Sequence, residues 1–504
     1  MRLKAPDLGT AIAGGAAATP AFHLIAWVAG LAVSAFGTWV LFAARPGLNA
    51  FLWTTLAAAG YGWSARAGGQ PGSRPRTLLL VLGSVLAGGI AVTADPLLQL
   101  LVVPCVGMIA AILTLHSAGD RLSELGLPGL LAAPWKAVAA GLRSFAGQLR
   151  ALMRRARAER SVPVLRGLLL ALPVVTVFFL LLSAAEPTMA AWRDTVCDAL
   201  IALSFLPRTV FFVVLAVATI GVLALGGQLP AAGAAAAGRP ARHAATLHDV
   251  ERLIVIGAIA ALFAVFLVLQ HAFLFGNPGG RSGSGVTYAD AVHRGFWELT
   301  VAAGLCLLLT LALDQLARHG TRERAVRLAT FILIAEAALL LASAWYRVAV
   351  YEAAYGYTFQ RLYAQAHTLL IGLSLLLLAR EVAVGIDARR LIRRMGLLAA
   401  LALGVFCYWN HAAWIADANI ARWRNTGNLD VQYLVYGLGD DALPEVIAQL
   451  PALSTPLADG VRIRLAGLQA QRAANAPAHW YEWNLRRAAA DRALRALPAL
   501  AAVP

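Results

Sequence analysis

Charged side chains make up only 13% of this 504-residue chain, while hydrophobic ones reach 60%. Soluble domains carry about a quarter charged residues, so the shortage excludes a soluble globular protein. With a mean hydropathy of +0.70, the chain reads as an integral membrane protein. Acidic residues are scarcer still, 26 against 42 basic ones, which leaves a net charge of +16. In a soluble chain that balance would point to nucleic acid. Here the basic residues stand in short runs between apolar segments, the pattern of an orientation signal and of lipid contact, and no nucleic-acid partner is expected. Cysteine is rare as well: Cys105, Cys197, Cys306 and Cys407 are scattered singly. That excludes a disulfide framework or a CxxC metal site and leaves small buried hydrophobes.

The chemical motifs are missing too. No HExxH occurs and the ten histidines are thinly spread, so no metal is expected. No GxxxxGK[ST] or Rossmann fingerprint opens a helix, so no nucleotide cofactor is expected. The nearest approach to GxSxG is GRSGSG at 280–285, which follows no strand and reads as flexible linker.

Long apolar runs fill the space these absences leave. A bilayer core of about 30 Å takes about 20 helical residues, and continuous rather than alternating apolarity selects helices over a barrel. Eleven spans are expected, near 21–43, 47–64, 77–94, 97–115, 164–184, 208–227, 253–275, 296–314, 328–347, 363–381 and 395–415. The second is short, and 188–207 reads as an extra half-helix. The first run, 23 residues long, exceeds the apolar core of a signal peptide and is expected to stay as a span. Placing the N-terminus in the cytoplasm collects the basic runs inside and leaves few arginines outside, with the tail extracytoplasmic. The expected fold is therefore an all-α polytopic bundle in a bacterial cytoplasmic (inner) membrane. Its parts are a four-span region (1–115), a cytoplasmic basic loop (116–162), a seven-span core (163–415) and a helical tail (416–504).

Within the basic loop, Trp135, Val138, Leu142, Phe145, Leu149 and Leu152 form a helical stripe, with Lys136, Arg143, Arg150, Arg154 and Arg157 off it. Such a helix suits anionic lipid headgroups of the bilayer surface. The segment 231–245 is low-complexity linker. The tail regains charge and breaks into short amphipathic helices, a surface on which a protein partner could dock.

One stretch departs from plain apolarity: SAWYRVAVYEAAYGYT, 343–358, sets Arg347, Tyr351 and Tyr355 at the end of the ninth span. The expected topology brings Glu298, Arg347, Tyr351, Tyr355, His367, Asn410 and His411 to one outer level, with Glu336 deeper. Carboxylates in a span are costly unless paired or facing a cavity. An outward-opening polar cavity formed by spans seven to eleven, latched by a Glu298–Arg347 ion pair, is the expected site, and no catalytic residue is assigned.

RGFWELT (294–300), SAWYRVAVYEAAYGYTFQRLY (343–363), ADANIARWRNTGNLDVQYLVYGLGDDALPEV (416–446) and WYEWNLRRA (480–488) resemble recurrent segments of a bacterial multi-spanning membrane family catalogued as a domain of unknown function. Tyr357 and Glu186 depart from its usual pattern. The resemblance implies the architecture and brings no activity to transfer. A non-enzymatic sensing or scaffolding protein fits every feature; a transporter or lipid-handling protein using the cavity is the alternative, and an intramembrane enzyme comes third.

Overall fold

The computed structural model describes residues 20–68, 73–117, 127–155, 191–195, 205–226, 247–275, 296–317, 322–474 and 479–497. The expected span 164–184, the linker 231–245, the loop 280–285 and most of 188–207 lie outside them. The described residues form helices and no named strand. In chain order the first are α1 (Pro20–Leu41), α2 (Leu48–Ala67), α3 (Arg74–Val92), α4 (Pro96–Ser117), α5 (Leu127–Arg155) and α6 (Leu206–Gly226). Then come α7 (Asp249–Phe275), α8 (Phe296–Gln315), α9 (Glu323–Tyr355), α10 (Phe359–Val384) and α11 (Ala388–Tyr408). The tail holds α12 (His411–Thr426), a π turn at Tyr433–Gly437, α13 (Leu443–Ala448), α14 (Thr455–Ala474) and α15 (Leu485–Arg495).

Eight of these, α3, α4 and α6–α11, are long and apolar enough to cross a membrane, and Ile25–Leu41 within α1 is a shorter apolar helix. The shortest expected span, now α2, is not among the eight. At 33 residues, α9 is about 50 Å long and outruns a hydrocarbon core of about 30 Å. Tyr351 and Tyr355 therefore continue the helix that carries Arg347. Gly356, at φ 85°, ends it, and a Cβ there would lie 2.6 Å from Asn419 Oδ1, so the turn requires glycine twice over.

Two packed groups share α11. Helices α1–α6 pack together, α7–α10 pack together, and α11 lies against α3, α4 and α10. The first core gathers Tyr61, Leu86, Val102, Leu223 and Cys407; the second gathers Ala303, Leu333, Leu375 and Leu391. Tail helices α12 to α15 enclose a third, with Ile415, Leu434, Val446, Val461 and Leu494.

The basic helix α5 packs on α4 and α6. Its buried face is small: Ala133, Ala137, Ala140, Gly141, Ser144 and Gln148. A Cβ on Gly221 would stand 2.4 Å from Gly141 O, so α5 and α6 meet backbone to backbone. Trp135, Val138 and Leu142 stay exposed beside Lys136, Arg143 and Arg150, while Phe145 meets Trp27 at 5.8 Å. Arg154 lies in the helix, and Arg157 is outside the described residues.

The eleventh expected span, 395–415, ends earlier, at Tyr408. Asn410 turns the chain: its Oδ1 accepts from Ala413 N at 3.3 Å and its Nδ2 donates to Asp441 O at 3.0 Å. An asparagine that caps the next helix competes with continuation of the last. His411 therefore begins the tail instead of ending a span.

Candidate functional site

Two features meet where the bundle joins the tail. The first is a buried polar junction on the turn between α3 and α4. Asp95 caps α4, its Oδ1 accepting from Leu97 N at 2.8 Å and Leu98 N at 3.2 Å. Its other oxygen accepts from Tyr363 Oη on α10 at 2.5 Å. Tyr363 Oη also lies 2.9 Å from Nε2 of the fully buried His411. With tyrosine's single proton given to Asp95, that ring nitrogen is the donor to the tyrosine oxygen. Burial works against charge on Asp95; the nearby His411 and the hydrogen bonds from Tyr363, Leu97 N and Leu98 N outweigh it and hold its carboxyl below the usual range. Phe359, Phe406 and Trp409 close round the His411 ring.

The same turn is clasped by the tail. Thr93 Oγ1 donates to Asp441 Oδ2 and Ala94 N to Asp441 Oδ1, both at 2.8 Å. Burial pushes the Asp441 carboxyl up. Asn484 Nδ2 donates to Ile90 O at 2.8 Å and Thr93 O at 2.9 Å, while its Oδ1 caps α15 through Arg486 N and Arg487 N. Leu48 N donates to Trp483 O at 2.8 Å, and Arg487 holds Pro46 O. The ends of α1, α3, α9 and α11 thus all face the tail.

The second feature is a groove of about 1710 Å³ between α4, α8, α9, α10 and α11, with Tyr433 at its tail end. Its walls are apolar, from residues such as Leu97, Leu101, Leu370, Leu373, Leu401 and Phe406. Polar groups gather where α9 gives way to α10: Tyr351, Thr358, Gln360, Arg361 and His367. Arg361 holds Gly356 O, and its guanidinium carbon lies 4.3 Å from the centre of the Tyr351 ring, a cation–π seat. Tyr355 packs against Tyr351, tilted by 41° at 4.7 Å between ring centres. Tyr363 lines the groove and belongs to the junction, so the two features share a wall.

The expected site residues are therefore divided. Tyr351 and His367 line the groove and Tyr355 supports it, whereas Asn410 and His411 belong to the junction. Glu298 is exposed at the start of α8 and acts on the buried Arg347 through space, without closing the expected ion pair. Glu336 is half-buried in α9, and its Oε2 has no hydrogen-bond partner among the described residues. None of these three lines the groove. The cavity expected from spans seven to eleven is instead walled by α4 where α7 was expected, and it is largely apolar. Asp95, Asp441, Asn484 and Arg361 were not singled out in the sequence. Asp-Pro before an apolar run reads as an ordinary cap, and only the partner 268 positions away makes Asp95 distinctive. Among the described residues no group of histidine, cysteine and carboxylates could hold a metal ion.

A helical bundle with eight helices long and apolar enough to cross a membrane among the described residues defines a multi-pass membrane protein. Residues 77–449 match the family described as a domain of unknown function, DUF4153, and the chain belongs to that family. Comparison with curated proteins and with solved structures returned no match.

Proposed function

We propose that the chain is an eleven-span protein of the bacterial inner membrane, N-terminus in the cytoplasm and tail domain outside, that holds an amphiphile in its outer groove. One observation carries this reading: a groove of about 1710 Å³ with apolar walls and its polar lining concentrated toward one end, at Tyr351, Thr358, Gln360 and Arg361, with His367 about two turns further along α10. Ordinary small-molecule pockets span about 300–1,000 Å³, so this one suits a longer molecule with a polar head. The polar end lies level with the tail, where the outer headgroups of the proposed topology would stand. Among the described residues that line the groove, none pairs a nucleophile with a base, which favours holding or transfer over chemistry. The clasp favours a second reading, a scaffold whose tail braces both helix groups for a protein partner, because residues 441 and 484 both grip the turn between α3 and α4.

A photo-crosslinking residue at Leu401, inside the groove, should capture lipid that survives detergent exchange; one at Leu262, exposed on α7 away from it, should not. Equal capture at both sites, or none at Leu401, would reject the groove and leave the scaffold. Orientation is tested by impermeant thiol labelling of intact cells: Ser454→Cys should react and Arg143→Cys should not, both positions being exposed. The reverse pattern would invert the topology. Contact of α5 with anionic lipid is tested by mutating Lys136, Arg143 and Arg150 to Gln, which should weaken binding of the reconstituted protein to anionic vesicles.

A further inference from the structure

Apolar walls alone select poorly in a bilayer, because the lipid tails outside the groove are as apolar as leucine. Discrimination among amphiphiles therefore falls to the polar end. Among the described residues that line the groove there is one guanidinium, Arg361, and no carboxylate. One acid that acts on Arg361 through space, Glu352, is buried at 4% exposure and receives Gln365 Nε2 at 2.6 Å. Arg361 itself is half-buried, seated on Tyr351 and fixed by Gly356 O. One of its five N–H groups is used there, and the rest remain for a ligand. A planar guanidinium held at a fixed place matches the oxygens of a phosphate in pairs, which lysine cannot do. Thr358, which caps α10, and Gln360, on its first turn, add neutral polar groups beside it.

We infer that the groove selects a phosphate-bearing anionic diacyl lipid, with Arg361 taking the phosphate and the leucines of α4, α10 and α11 taking the chains. This rests on the reading of the groove as an amphiphile site. The occupant is a membrane lipid and not free phosphate, because the cation stands at the mouth of an apolar trough that a bare ion would leave empty.

The test reconstitutes the full chain in nanodiscs of equal phosphatidylglycerol, phosphatidylcholine and diacylglycerol, then measures lipid retained after detergent extraction by native mass spectrometry. Phosphatidylglycerol should be enriched over diacylglycerol. Arg361→Gln should lower that enrichment at least about tenfold, the size of one lost charge-assisted contact. Arg361→Lys should recover part of it, and Arg424→Gln, an exposed arginine of α12 outside the groove, should change nothing. Because Arg361→Gln also frees Gly356 O, Leu401→Trp serves as a second variant that fills the trough with Arg361 intact; it should lose all three lipids together. Equal retention of the three lipids, unaltered in Arg361→Gln, would overturn the headgroup assignment and leave the amphiphile groove standing. Retention of none, or a Leu401 crosslink to residues 156–190 of the same chain, would overturn both.

Discussion

Tyr363 joins what its neighbours cannot join directly, since Asp95 and His411 stand 3.6 Å apart and both bond its hydroxyl at shorter range. Tyr363→Phe keeps the ring stack with Phe359 and strands both partners in a dry site. Thermal unfolding in detergent should show a loss of about 1–3 kcal/mol. The acid limb gives a second handle. Because the folded state holds the Asp95 carboxyl below its ordinary range, its contribution is present above that range and fades as pH falls through it. Asp441 has the opposite sign: burial raises its carboxyl, so its contribution is present at acid pH and fades as pH rises. Asp95→Asn should therefore flatten the acid-side loss of stability, while Asp441→Asn should spare the neutral form; acid melts of the two variants that coincide would contradict the assignment. Glu298 acts on Arg347 through space, so the double-mutant cycle Glu298→Gln with Arg347→Gln should show a coupling below about 1 kcal/mol. A larger coupling would restore the latch. Sequence reading set these groups near the ends of their helices because position along a span is local information. It missed their pairing, because which face of a helix meets which neighbour depends on packing.

Helices differ in how much of their role the chain reveals locally. Spans such as α9 and α10 were legible because twenty apolar residues in water-free surroundings leave the backbone one solution. The end of α11 was not, because Asn410 stops it by bonding Asp441, a residue of the tail. For α5 the apolar stripe and its basic flank were legible, but the face that packs was the inconspicuous one. Alanine and glycine carry little hydrophobic signal, yet in a membrane they let backbones approach. Gly221 makes this measurable: adding a methyl there meets Gly141 O at 2.4 Å and forces α5 from α6. Gly221→Ala should lower stability by about 1–3 kcal/mol, whereas Gly62→Ala on α2, with nothing within 4 Å, should be silent or slightly stabilising. Equal melting of the two variants would mean that α5 is not held through this contact.

The whole molecule is closed by its tail. Asn484→Ala removes one of the two donors that Ile90 O and Thr93 O each receive, Gln99 keeping the other, and the cap of α15, a loss of about 1–2 kcal/mol. Limited proteolysis should then cut α14–α15 first while the spans stay resistant; unchanged cleavage would show that the clasp is redundant. The clasp also sets a clock on biosynthesis. Asn484 follows Thr93 by 391 residues, and at roughly 5–20 residues per second a ribosome needs roughly 20–80 s to cover that distance. For all that time Gln99 alone answers the carbonyls of Ile90 and Thr93, and the first four helices wait with one side unfastened. A nascent chain halted before residue 441 would lack both tail residues that grip this turn and would present an unlatched bundle to whatever membrane protease or insertion factor surveys unfinished proteins, so resistance to degradation arrives only with the tail.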